Sequence, residues 1–178
     1  MTRAAGQQLD EPAGYGAVLT ISNGSSGAID SLIGRFGITV VRVPPAAPIP
    51  GTFWGAPEAG VVGKTVYVRG DTPLHSVLHE VSHIVCMSPK RRARLSRDAG
   101  GDDQEEEAVC YLQVLLAGCL QNVGIPRMQR DMDAWGYSFR LGTTRRWFAE
   151  DAEDARRWLR SRQLIDSLDR PTFALRSG

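Results

Sequence analysis

Cysteine and histidine are both scarce in this chain, and each scarcity is informative. Its 178 residues contain three cysteines, Cys86, Cys110 and Cys119, widely spaced and with no Cys-x-x-Cys pair. An odd, scattered set argues against a disulfide framework, so we read them as free thiols packed like small apolar residues. The three histidines all fall between positions 75 and 83. An excess of charge of one sign is also lacking: 21 basic against 20 acidic residues give +1. No global attraction to nucleic acid or to an anionic membrane is implied. No apolar run approaches the length of a membrane span, and the first sixteen residues have no signal-peptide core. We therefore expect a cytoplasmic protein with no membrane partner. Repeats and low-complexity tracts are absent, and the length suits one domain with a hydrophobic core.

The first sixteen residues are rich in Gly, Gln and Ala and read as a loose N-terminal segment, with 17–178 as a single domain. A short strand is expected at Ala17 to Ile21. Ile29, Leu32, Ile33 and Phe36 recur at helical spacing over Ala28 to Phe36, and Gly37 sits where a helix-ending glycine belongs. Ile38 to Val43 is β-branched and reads as a strand closed by Pro44-Pro45. Phe53-Trp54, among prolines and glycines, reads as a short edge strand on which an extended peptide substrate can pair. Lys64 to Arg69 is the clearest strand, followed by a Gly70-Asp71 turn.

Thr72-Pro73 then predicts a helix start, with Thr as cap and Pro in the first turn. Leu74, Leu78, Val81 and Val85 give that helix an apolar stripe, and Ser88-Pro89 ends it. The basic stretch from Lys90 to Arg97 reads as a solvated loop, with contact to a partner as the competing reading. A second helix is expected from about Asp103 to Leu120, a short strand at Gly136 to Leu141, and a last helix from Thr144 to about Ile165. No element is read between Leu120 and Gly136. The sum is an α+β domain: a short mixed sheet packed on the histidine-bearing helix and on a second, ligand-bearing helix.

Residues 79–83 read His-Glu-Val-Ser-His. Positions four apart share a helix face, so both imidazoles can reach one ion at the roughly 2.0–2.1 Å that zinc accepts. Glu80 then lies beside the ion, where it can take a proton from metal-activated water. His75 shares the face of His79 but stands about 12 Å along the axis from His83, too far for one tetrahedral ion. It is kept as a residue that lines the cleft or serves as an alternative ligand.

A catalytic zinc takes three protein ligands and leaves one position for water. With no histidine left, the third is expected to be a carboxylate from Glu105-Glu106-Glu107. Glu105 shares a face with Ala108, Val109, Leu112, Leu115 and Leu116, the stripe expected to pack inward. A carboxylate there is costly unless paired or metal-bound, so Glu105 is the first choice. Glu106 aligns with the more polar Cys110, Gln113 and Ala117. Glu107, aligned with Cys110, Tyr111 and Val114, is the runner-up. The plainer reading is that all three complement the helix N-terminus. Tyr137 is a candidate oxyanion stabiliser that nothing in the sequence places.

A His-Glu-x-x-His motif followed by a helix-borne Glu resembles the gluzincin metallopeptidases, and within them the ImmA/IrrE-like group. The pieces carrying the resemblance are Gly37-Ile38-Thr39-Val40, Lys64 to Arg69, His79 to His83, and Glu105 to Tyr111. Ser82 stands where that family commonly has Gly, and Val109 where it has Asn. The resemblance implies a zincin-like domain in which zinc-activated water attacks a peptide bond, with Glu80 as general base. Thr65 to Arg92 is also similar to bacterial elongation factor P hydroxylases, a likeness that Ser82, Lys90-Arg91-Arg92 and Leu115-Leu116-Ala117-Gly118 fit. That likeness implies ferrous iron, oxygen and hydroxylation of a protein partner. A third possibility is a catalytically inactive zincin-like fold used for binding, against which the presence of Glu80 weighs.

Overall fold

A computed structural model describes residues 18–24 and 26–178. The loose segment expected over the first sixteen residues lies outside them. Helix α1 (Ser26–Gly34) buries Ile29, Leu32 and Ile33, the spacing that signalled it. The chain turns at Gly37, whose φ of 66° is a left-handed conformation that glycine adopts without penalty. Strand β1 (Thr39–Arg42) follows, then, after a long loop, β2 (Gly60–Val62) and β3 (Thr65–Val68). The sheet order is β1-β3-β2, with β1 parallel and β2 antiparallel to β3. Val66 and Val68 of the central strand are fully buried.

The turn after β3 delivers helix α2 (Leu74–Cys86), which carries the motif. Thr72 does not cap it. Its hydroxyl accepts from the Arg69 N–H at 2.8 Å, closing the turn, and the helix starts one residue later than expected. All thirteen α2 residues are buried, because the helix packs on β3, on α4 (Asp103–Gly118) and on α5 (Gly124–Trp135). Its polar atoms are tied inward. Ser82 donates to Leu78 O at 2.8 Å, and Ser76 Oγ accepts from the Ala59 N–H at 3.0 Å. The carbonyls at its C-terminal end are capped by arginines: Arg92 donates to Ile84 O and Met87 O at 2.8 and 2.6 Å, and Arg176 donates to Cys86 O at 3.3 Å. Cations at that end also complement the helix dipole. Part of the stretch read as a solvated basic loop is thus structural, and its Pro89–Arg92 residues form the short helix α3.

Four further expectations are corrected. Phe53 and Trp54 lie in a bend, not a strand. The edge strand of that region is β2, and its outer side is already taken: Val61 donates to Gly51 O at 3.1 Å, and Gly63 donates to Leu95 O at 2.8 Å. A Cβ on Gly60 would collide with Pro50 O, so the two backbones approach only because glycine stands there. The strand expected at Ala17 to Ile21 reduces, within the described residues, to an isolated bridge between Thr20 and Pro73 and a 3-10 turn over Ile21–Asn23. Gly136 to Leu141 contributes only a bridge between Phe139 and Gly142. The last helix is two, α6 (Thr144–Glu150) and α7 (Glu153–Ser161), broken where Asp151 turns out to pair with Arg140.

Helix α4 packs against α2, α5 and α7, so it is buried on several faces. Together these elements enclose a hydrophobic core running from Ile21 to Ile165. Among the described residues, no helix is long and apolar enough to cross a membrane. The architecture is the expected α+β arrangement of helices with a small mixed sheet.

Candidate metal centre

One turn of α2 separates His79 from His83, and their rings meet edge to face with Nε2 atoms 3.0 Å apart. Both side chains are nearly sealed from solvent. Across from them, in the first turn of α4, Glu106 brings Oε2 to 3.7 Å from His83 Nε2. The ligand atoms of His79, His83 and Glu106 lie within 4.8 Å of one another, a group that can hold a metal ion. A tetrahedral ion with bonds of about 2.0–2.1 Å sets its ligand atoms roughly 3.3–3.4 Å apart. The 3.0 and 3.7 Å separations bracket that value.

Hydrogen bonds to the outer atoms of two of these residues, His79 and Glu106, orient them. Gln113 Nε2 donates to His75 O at 2.9 Å, an oxygen that only accepts, so the amide orientation is fixed. Gln113 Oε1 therefore faces His79 Nδ1 at 3.0 Å and accepts its proton. The tautomer inferred from this network leaves the His79 Nε2 lone pair turned towards Glu106 and His83. Glu106 is held in the same way: its Oε1 accepts from the Gly101 N–H at 3.0 Å, which presents Oε2 to the histidines. Glu106 and Gln113 lie seven residues apart, two turns along one face of α4, and that face looks at α2.

Glu105, the first choice for third ligand, is not in this group. Its carboxylate is buried, but arginines satisfy it: Arg91 donates to Oε1 at 2.6 Å and Arg176 to Oε2 at 3.3 Å. Arg91 also donates to Gly100 O at 2.6 Å, tying the 98–101 loop to the same carboxylate. A Cβ on Gly101 would lie 2.6 Å from Glu105 Oε1, so glycine is needed where that loop crosses. The reasoning that a buried carboxylate must be paired or metal-bound holds; here the partners are guanidinium groups. Glu107, the runner-up, lies elsewhere. Its carboxyl is raised above the ordinary value, first by burial and then by nearby Asp151, Asp154 and Asp103.

His75 is fully buried between aromatic rings, 4.9 Å from Trp135 and 5.6 Å from Tyr137, and joins neither the ligand group nor the cleft. Tyr137 packs edge-on against His79 at 5.7 Å but is not among the cavity's lining residues, so it buttresses the ligand ring. The cavity holds about 210 Å³. His79, Glu80, His83 and Glu106 line it together with Phe53, Trp54 and the 97–100 loop. The two aromatics expected to hold substrate do reach the site, though from a bend. A larger groove of about 480 Å³, bordered by Leu32, Arg35 and Cys119, contains no residue of the ligand group.

Sequence reasoning weighed Glu106 but ranked it behind Glu105 and Glu107, and gave Gln113 no role. A usable signal was present: past its acidic start α4 is mostly apolar, and its one amide there, Gln113, lies seven residues from Glu106, matching two histidines four apart on its neighbour. Comparison with protein-family models, with curated proteins and with solved structures finds no match to this chain.

Proposed function

We propose that the chain is a metal-dependent hydrolase of the HExxH class that acts on a peptide bond, with His79, His83 and Glu106 holding one zinc ion. The observation that carries this reading is the convergence of two imidazole nitrogens and a carboxylate oxygen within 4.8 Å, with Glu80 in the lining of the same cavity. Two histidines and a carboxylate form a three-ligand set of the kind that leaves one position for water. When bound, the ion supplies Lewis acidity, polarising the substrate carbonyl and lowering the pKa of water towards about 7. Glu80 accepts the proton of the attacking water and returns it to the leaving nitrogen. Gln113 and the Gly101 N–H keep His79 and Glu106 oriented, so these two need little reorganisation as the ion binds.

The test loads the protein with zinc and follows cleavage of a peptide mixture by mass spectrometry. Glu80→Gln should lose about 10²–10⁴-fold of the rate while keeping its metal. Undiminished cleavage by that variant would overturn the role of Glu80; absence of cleavage by the zinc-loaded wild type would overturn the hydrolase reading.

A second reading has one observation in its favour. The same ligand set suits ferrous iron in oxygen-dependent enzymes, and the covered edge of β2 removes one usual way of holding an extended peptide. On that reading the iron-loaded protein, given two electrons and two protons from an external reductant, adds one atom of O2 to a protein partner and releases the other as water. The zinc-loaded protein cuts nothing.

A further inference from the structure

The lining of the metal-centre cavity carries features that the hydrolytic machinery does not use. Phe53 and Trp54 stack edge to face at 4.9 Å, yet remain 49% and 39% exposed. They are two of the few large apolar side chains left in water among the described residues, and they line the same cavity as His79, His83 and Glu106. Among the described residues, Arg97 is the one lysine or arginine lining that cavity. Its Nε donates to Thr52 O at 3.3 Å, which joins it to the aromatic bend, and no carboxylate pairs with it among the described residues. The other charged groups of the lining, Glu80, Asp98 and Glu106, are acidic.

We infer that this lining selects substrates presenting a carboxylate beside an apolar side chain, the carboxylate on Arg97 and the side chain on the Phe53-Trp54 pair. The inference rests on the hydrolase reading and adds its substrate class. Three physical points lead to it. With β2 covered and no residue of the other edge strand, β1, in the cavity lining, recognition there does not rely on a long ladder of backbone hydrogen bonds and comes from local anchors. A cavity of about 210 Å³ falls below the roughly 300–1,000 Å³ typical of sites for drug-sized ligands, so it takes a short or terminal segment. Among acidic neighbours, an anionic group is favoured only at Arg97, whose planar guanidinium can grip a carboxylate through two hydrogen bonds. Asp98 Oδ1 is already engaged by the Gly100 N–H at 2.9 Å, which holds the loop beside that position. The carboxylate can come from a chain end or from an acidic side chain.

Binding of 3-phenylpropanoate is measured by calorimetry against its neutral methyl ketone and against acetate, with zinc present and after chelation. Preference for the carboxylate over the ketone should be about tenfold in both states. It should vanish in Arg97→Gln and persist in Arg94→Gln, a neighbouring exposed arginine. The Phe53→Ala, Trp54→Ala double variant should bind phenylpropanoate no better than acetate. A preference that survives Arg97→Gln, or that disappears on chelation, would put the carboxylate on the metal and overturn the inference. Cleavage is scored separately on peptides ending in Phe as free acid or amide, and on an amidated peptide ending Phe-Asp. Preference for the free acid identifies a chain end as the source, and preference for the Phe-Asp amide identifies a side chain. Selective binding without any cleavage would sink the hydrolase reading and leave the carboxylate site standing. Cleavage with no discrimination would do the reverse.

Discussion

Two adjacent glutamates at the start of α4 have opposite surroundings. Glu105 is sealed among arginines at the end of α2, its side chain 5% exposed and both oxygens engaged by Arg91 and Arg176. Glu106, one residue and about 100° further round the helix, is 20% exposed, with one oxygen on a backbone N–H and the other facing two imidazoles. The difference teaches that burial alone does not identify a metal ligand. A deeply buried carboxylate that meets guanidinium groups is neutralised there and contributes to the fold. A less buried one, oriented from behind and facing imidazole nitrogens in a cavity lining, is the one available to an ion.

Each side of this pair can be broken separately. On the metal side, short of removing a ligand, the larger effect is expected from Gln113→Ala, which removes the acceptor that fixes the His79 tautomer. Outer hydrogen bonds of this kind are worth roughly 10–100-fold in metal affinity. Competition with a chromophoric chelator measures it, and unchanged affinity would mean that Gln113 merely packs. On the arginine side, Glu105→Gln should leave metal affinity alone but destabilise the fold by about 1–3 kcal/mol, because two guanidinium groups lose a charged acceptor. For a chain of this size each kcal/mol lowers the melting temperature by about 2–4 °C, read by calorimetry.

How much of this was legible beforehand depended on how many neighbours each element has. Helix α2 announced itself through Pro73, its apolar spacing and the His-Glu-x-x-His motif, and β3 through its run of β-branched residues. Helix α4 was legible as a helix, with Asp102 capping the Glu105 N–H at 2.9 Å, but not in its orientation. Assuming one inward stripe made Glu105 the natural ligand. In fact α2, α5 and α7 all pack on α4, so "inward" names several directions and the polar face is the one that meets the histidines. Helix α5 was missed because Gly124 and Pro126 look like breakers, whereas proline is tolerated in a helix's first turn. The partners of Glu105 were out of reach for another reason: Arg176 is 71 residues away in sequence, and no local pattern connects them.

A smaller effect distinguishes the closed side from the open one by pH. Cys86, beside Glu105, is fully buried, and burial first, with the Glu105 charge second, pushes its thiol well above the ordinary 9.0. The folded chain therefore keeps this proton to higher pH than the unfolded chain. Its contribution to stability is complete below about pH 9 and declines above it, by up to about 1.4 kcal/mol per pH unit, as the unfolded state releases the proton. Cys86→Ala should flatten this alkaline decline in denaturant titrations at pH 8 to 10. An identical slope in the variant would mean that other groups set it.

The division of labour between the two glutamates is tested most directly by metal content after zinc loading and desalting, read by elemental analysis on wild type, Glu106→Gln and Glu105→Gln side by side. The expected result is about one equivalent in the wild type and in Glu105→Gln, and a large loss in Glu106→Gln. Full retention in Glu106→Gln, with loss in Glu105→Gln, would contradict the assignment of the third ligand and return it to the buried side of the helix.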